Sequence, residues 1–213
     1  PPMQEIPPET SVVTFTLFVI SLFVFSAHES YGVQERTGIV TLIWLVQFVA
    51  YLWKWRIKEF DLEKNRIFFP VQVIVVSYTL SALSKIQMSG WSWFHDSHMI
   101  ILQMLKTNQV KYLDGQIQLN EIVDSKIEFV MQHGTIMSLL LLSALLIELT
   151  SGIGLLSKKL RLLYGLLLLF FHFGIDFFFG IVIDTFFESM IIFMINPYYL
   201  GYLIFTGKRK EDV

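Results

Sequence analysis

His172 and Asp176 stand four residues apart in LLLLFFHFGIDFFFG (166–180), a stretch otherwise made of leucine, isoleucine, phenylalanine and glycine. An imidazole and a carboxylate one helical turn apart can handle a proton or orient a ligand. They can equally form a structural pair, Asp176 accepting from His172 while Gly180 admits a neighbouring helix. Both readings stand, because an ionisable group at bilayer depth costs on the order of several kcal/mol unless it faces protein or water. Four-residue spacing also aligns Gly180, Asp184 and Glu188 with the pair, a stripe expected to face the interior. Other polar candidates are Lys85 with Tyr78 and Ser81 at helical spacing, His133 beside Gln132, and the cluster His95, Asp96 and His98. The cluster is a weak metal candidate, since loop residues at a wet surface explain it as well. Lys85 reads in the first instance as an anchor that snorkels to headgroups.

Such residues need elements that carry them to a protein-lined face. Of the 213 residues 54% are hydrophobic and 16% charged, whereas a water-soluble globule carries about 25% charged residues. Apolar runs approach the roughly 20 residues that cross a bilayer as helix. The chain therefore reads as a single all-α domain over 1–213, a polytopic integral membrane bundle of about six transmembrane helices in contact with lipid. The spans fall near 11–28, 37–54, 68–87, 127–149, 160–183 and 187–206. Pro70 falls in the tolerated first turn of the third, and Asn196-Pro197 kinks the sixth.

Lysine and arginine set the orientation. With both termini cytoplasmic, the inner side holds Lys54, Arg56, Lys58, Lys64, Arg66, Lys158, Lys159, Arg161, Lys208, Arg209 and Lys210. The outer side holds Arg36, Lys106, Lys111 and Lys126. The loop 88–126 then lies on the non-cytoplasmic face of a plasma or inner membrane. Its Trp91, Trp93 and Phe94 suit the headgroup region, residues 97–105 form a short helix on the outer leaflet, and Asp114-Gly115 marks a turn. His172 sits about 18 Å up from Leu160. Lys85 lies near the outer end of its span, and Glu148 belongs to the inner half.

The sequence lacks cysteine, which excludes disulfides, thiolate metal sites and a cysteine nucleophile. It carries no P-loop, dinucleotide-binding glycine motif, Gly-x-Ser-x-Gly or His-Glu-x-x-His. The net charge of −2 says nothing about nucleic acid, and no basic stripe resembles a nucleic-acid footprint.

VSYTLSALSKIQMSGWSWF (76–94) resembles a segment of the HTTM (horizontally transferred transmembrane) family: a tyrosine, small residues, a lysine, then tryptophan a turn or two later. ELTSGIGLLSKKLRLLYGLLLLFFHFGIDFFFGIVIDTFFESMIIFMINP (148–197) is similar to that family's later half, where a glutamate precedes a basic inner loop and a histidine-bearing helix. The resemblance covers about 65–205. The family includes the membrane part of vitamin K-dependent gamma-carboxylase and is distantly similar to DoxX-type proteins. The resemblance implies a lysine base, matched here by Lys85, acting on a quinone of menaquinone or ubiquinone type from the outward side. His172, Asp176, His133, Tyr78 and Trp91 would surround the ligand. The carboxylase has two adjacent lysines and a large lumenal domain where this sequence has one lysine and a short end, which argues against peptide carboxylation. Three functions remain: a quinone- or isoprenoid-binding protein with possible oxidoreductase chemistry, an accessory subunit packed against other membrane subunits, and a small transporter.

Overall fold

A computed structural model describes residues 8–30, 38–57, 59–95, 97–179, 184–198 and 200–201. Helix α1 spans Pro8–Ser30, α2 Gly38–Arg56, α3 Leu62–Ser89, α4 Ser97–Leu113, α5 Ser125–Gln132, α6 Gly134–Leu149, α7 Lys158–Phe179 and α8 Asp184–Ser189. Three 3-10 turns (Gly90–His95, Leu119–Glu121 and Ser151–Leu155) and a π-helix, Met190–Ile195, join them. No strand occurs among the described residues. Among the described residues four helices are long and apolar enough to cross a membrane: α1, α2, α3 with its 3-10 continuation, and α7. A fifth arises if α5 and α6 count as one broken span.

Helix α3 is the centre of the bundle. Its Val71, Ile74, Val75 and Tyr78 pack with Ile39 and Ile43 of α2, Leu168 of α7, and Met190 and Met194 of the π-helix. Asp61 caps its first turn by accepting from the Lys64 amide at 3.0 Å. The helix thus begins eight residues before Pro70, which lies in the interior and not in the first turn. Hydropathy marks only the apolar part of a helix, so the charged turn Leu62–Arg66 was invisible to it. Proline has no N–H to offer the carbonyl four residues back. That carbonyl belongs to Arg66, and the Gln47 side-chain amide of α2 donates to it instead.

The run expected as one span over 127–149 is broken. His133 leaves helical geometry (φ −121°, ψ 41°), and α5 and α6 meet at a bend of 84°. The cause lies in their faces. Ile127 and Val130 of α5 pack against Ile100 and Met104 of α4, with Met137 of α6 completing this second core. Helix α5 therefore lies along α4 while α6, apolar throughout, turns away. Sixteen residues give α6 a length of about 24 Å, short of a roughly 30 Å hydrocarbon core. The loop 88–126 is largely helical, and α4 runs well beyond the expected 97–105. Gly115 (φ 71°) ends it at the expected Asp114-Gly115 turn. Asn108 ties the return segment down by donating to the Ile122 carbonyl at 3.1 Å.

The sixth expected span is likewise interrupted. Helix α8 passes into the π-helix, which stops at Asn196 in the left-handed region (φ 51°) just before Pro197. Asparagine tolerates that conformation, and the proline cannot continue the preceding turn. The wide π turn seats Met194 against α7 at Gly165, where a Cβ would lie 2.9 Å from the Met194 Cβ. A glycine there permits the close approach typical of helices packed in lipid.

Candidate ligand site between α3, α6 and α7

Tyr78, Ser81 and Lys85 recur at helical spacing and share one face of α3, as their positions in the sequence required. Opposite them stand Glu148 from the last turn of α6, Phe171, His172 and Ile175 from α7, and Phe186 from α8. Together with Ser77 these side chains wall a hollow of about 230 Å³.

Two polar pairs face it. Tyr78 is hydrogen-bonded to Nε2 of His172, and both residues are buried. The same phenol lies 3.4 Å from the Met190 sulfur. A phenol has one proton, so the two contacts constrain each other. If it donates to Nε2, the sulfur receives nothing. If Nε2–H donates to the phenol oxygen, the phenol proton is free for the sulfur, and both contacts are satisfied. Phe186 covers the pair, its ring facing Tyr78 edge-on at 5.8 Å and lying near-parallel to His172 at 6.4 Å.

The second pair is ionic. Lys85 Nζ donates to Glu148 Oε1 at 2.7 Å and also to Oε2. The carboxylate is enclosed (3% of its side chain exposed), whereas the lysine keeps 24%. Trp93 lies under the ammonium at 5.0 Å, with Phe171 at 6.0 Å. Aromatic faces attract a cation, more so where water is excluded. The lysine is thus held between a carboxylate and two rings, with one side turned to the hollow. It is paired inside the bundle, which rules out the snorkelling anchor. Helix α3 and its 3-10 turn continue past it to His95.

Behind the hollow, the corner after α6 is pinned to α3 and α7. Ser151 Oγ donates to the Val75 carbonyl at 3.1 Å and meets Thr79 at 3.1 Å. Tyr164 donates to Thr150 at 3.0 Å. These bonds fix the last turn of α6, and with it Glu148, at the level of Lys85. The expectation that Glu148 lies in the opposite half is corrected accordingly. It assumed an unbroken span, which would have carried residue 148 deeper than the bent α6 reaches. Glu148 was nonetheless recoverable, because a lone carboxylate in LLLLSALLIELT needs a cation and Lys85 lies inside an expected span rather than at its cytoplasmic end.

Asp176 is also corrected: it is exposed and outside the hollow, so it neither pairs with His172 nor lines the site. Four residues on an α-helix leave about 40° of rotation, which carries Asp176 off the face that His172 presents to the hollow. One turn later α7 is near its end, where Lys126 donates to the Phe177 carbonyl at 2.6 Å. The inward stripe does not extend to Glu188, which is exposed. Gly180 lies outside the described residues, as does the Asp184 side chain. His133 forms the α5–α6 corner, with Nδ1 2.9 Å from the Phe129 carbonyl and its ring stacked on Phe129 at 4.3 Å. It does not line the hollow. Trp91 is 63% exposed and does not line the hollow; the tryptophan nearest the site is Trp93, whose ring lies 5.0 Å from the Lys85 ammonium. His95 and His98 are exposed and Asp96 lies outside the described residues; no group of three metal-ligating side chains occurs among those described. Trp93, Phe186 and Met190 carried no signal as site residues, since aromatic and thioether side chains are everywhere in this sequence.

The arrangement defines a helical protein with apolar, membrane-length helices and a small, partly open hollow among them that two polar pairs face. Comparison with protein-family models, curated proteins and solved structures finds no match.

Proposed function

We propose that the chain is an HTTM-like integral membrane protein of about six spans that binds a quinone or related isoprenoid in this chamber. The observation that carries the reading is the convergence of Tyr78–His172 and Lys85–Glu148 on one hollow of about 230 Å³. Two buried polar pairs meeting at a cavity, in a chain otherwise poor in charge, are what a ligand with carbonyl or hydroxyl groups requires. Ser77 and Ser81 supply further hydroxyls, and Phe171 and Phe186 supply faces for a planar ring. The bias of lysine and arginine supports cytoplasmic termini in a plasma or inner membrane. On that orientation we put the mouth of the chamber on the non-cytoplasmic side, with the 88–126 segment.

Within the chamber the ion pair can act as an acid–base couple. Transfer of one proton from Lys85 to Glu148 leaves an amine facing the hollow, able to take a proton from a hydroquinone hydroxyl. Tyr78 and His172 then orient the ligand's other oxygen.

The test is extraction and mass spectrometry of the lipids that co-purify with the protein. Menaquinone or ubiquinone is expected at near-stoichiometric yield from the native chain. It is expected to be lost from the double variant Lys85→Met/Glu148→Leu, in which both charges go and the volume stays. Equal quinone content in the two proteins, or none in either, would sink the proposal.

A further inference from the structure

A second hollow, of about 300 Å³, lies between α6 and α7 beside the chamber. Leu140, Ala144 and Ile147 line it from α6, and Phe171, Gly174 and Ile175 from α7. Ser143 also lines it, but its hydroxyl is committed to the Leu139 carbonyl at 2.8 Å, so the wall offers little for hydrogen bonding. Phe171 and Ile175 line both hollows. The apolar groove and the polar chamber therefore stand on two sides of the same side chains. Leu140 is exposed at one edge of the groove, so it opens to the outside of the bundle, where lipid would lie. At Gly174 an added Cβ would meet nothing within 4 Å, so the groove has free space at that position.

We infer that the groove holds the hydrocarbon tail of the ligand whose polar head enters the chamber, and that Gly174 sets how bulky a tail is admitted. The inference rests on the chamber being a binding site and adds where the ligand's tail lies and how it enters: in the groove, sideways from the bilayer. A bare acyl chain would fill the groove and leave the chamber lined by Lys85, Ser81 and Tyr78 empty. A tailless head would fill the chamber and leave the groove empty. Only a molecule with both parts uses the two hollows and the wall they share.

The experiment compares decyl-dimethoxybenzoquinone with its tailless parent, each tritiated, in phosphatidylcholine nanodiscs where bulk acyl chains compete equally. The tailed probe is expected to bind the native protein at least tenfold more tightly than the tailless one. In Gly174→Leu, which fills open space, that ratio is expected to fall to near one. A diazirine on the last tail carbon gives a readout needing no variant, with photolabel expected on the α6 and α7 peptides. A ratio unchanged by Gly174→Leu, or label confined to other helices, overturns the tail site while the chamber's own affinity for the tailless head survives. Failure of both probes to bind saturably in the native protein overturns the chamber reading, and this inference with it.

Discussion

Lys85 and Glu148 each make the other tolerable. Removing one partner of a buried pair leaves an uncompensated charge and costs about 3–5 kcal/mol, whereas replacing both with apolar groups of similar volume is often neutral or better. Lys85→Ala is therefore expected to unfold readily in denaturant titrations, while Lys85→Met/Glu148→Leu holds native stability; the reverse order would show that the pair is not enclosed. Tyr78→Phe removes the hydroxyl joining His172 to Met190 and leaves a buried ring nitrogen unsatisfied, a loss of about 1–3 kcal/mol. Native stability in that variant would contradict the bond. The α3 half of this chamber was legible, because helical spacing alone puts Tyr78, Ser81 and Lys85 on one face. Asp176 was misread because spacing reports a stripe, not how far along a helix its cover extends.

At the scale of elements, backbone accounting gives a sharper test. Pro70 frees the Arg66 carbonyl and Gln47 occupies it. Gln47→Leu should cost about 1 kcal/mol or more in the native background and less in Pro70→Ala, where the helix's own N–H returns. Additive effects across that double-mutant cycle would break the link. Gly165 and Gly174 lie on the same helix with opposite surroundings. Gly165→Leu, driven into Met194, is expected to lower the monodisperse fraction in size-exclusion chromatography, and Gly174→Leu to leave it near native. Apolar runs identified α1, α2, the membrane part of α3, and α7. They missed the break at His133, although SKIEFVMQ (125–132) is amphipathic and GTIMSLLLLSALLIEL (134–149) is apolar all round. A uniform window averages that contrast away.

Across the whole molecule, the end of α2 and the starts of α3 and α7 gather at one pole. Lys54 donates to the Phe60 carbonyl at 3.0 Å, and Arg161 lies 5.7 Å over the Phe68 ring. Of the cations counted along the sequence, Lys54 and Arg161 thus both lie against the stretch from Phe60 to Phe68. Because the chain has no cysteine, a single introduced one reports its side cleanly. Gln116→Cys is expected to react with a membrane-impermeant maleimide in intact cells, and Lys159→Cys only after permeabilisation; the opposite pattern would invert the chamber. The most direct measurement of the central claim uses Trp93, 5.0 Å from the Lys85 ammonium. With Trp44, Trp53, Trp55 and Trp91 changed to Phe, titration with decyl-dimethoxybenzoquinone should quench the remaining emission saturably, and Lys85→Met/Glu148→Leu should abolish the saturable component. Quenching that stays linear, or is the same with and without the ion pair, would contradict a ligand chamber at this place.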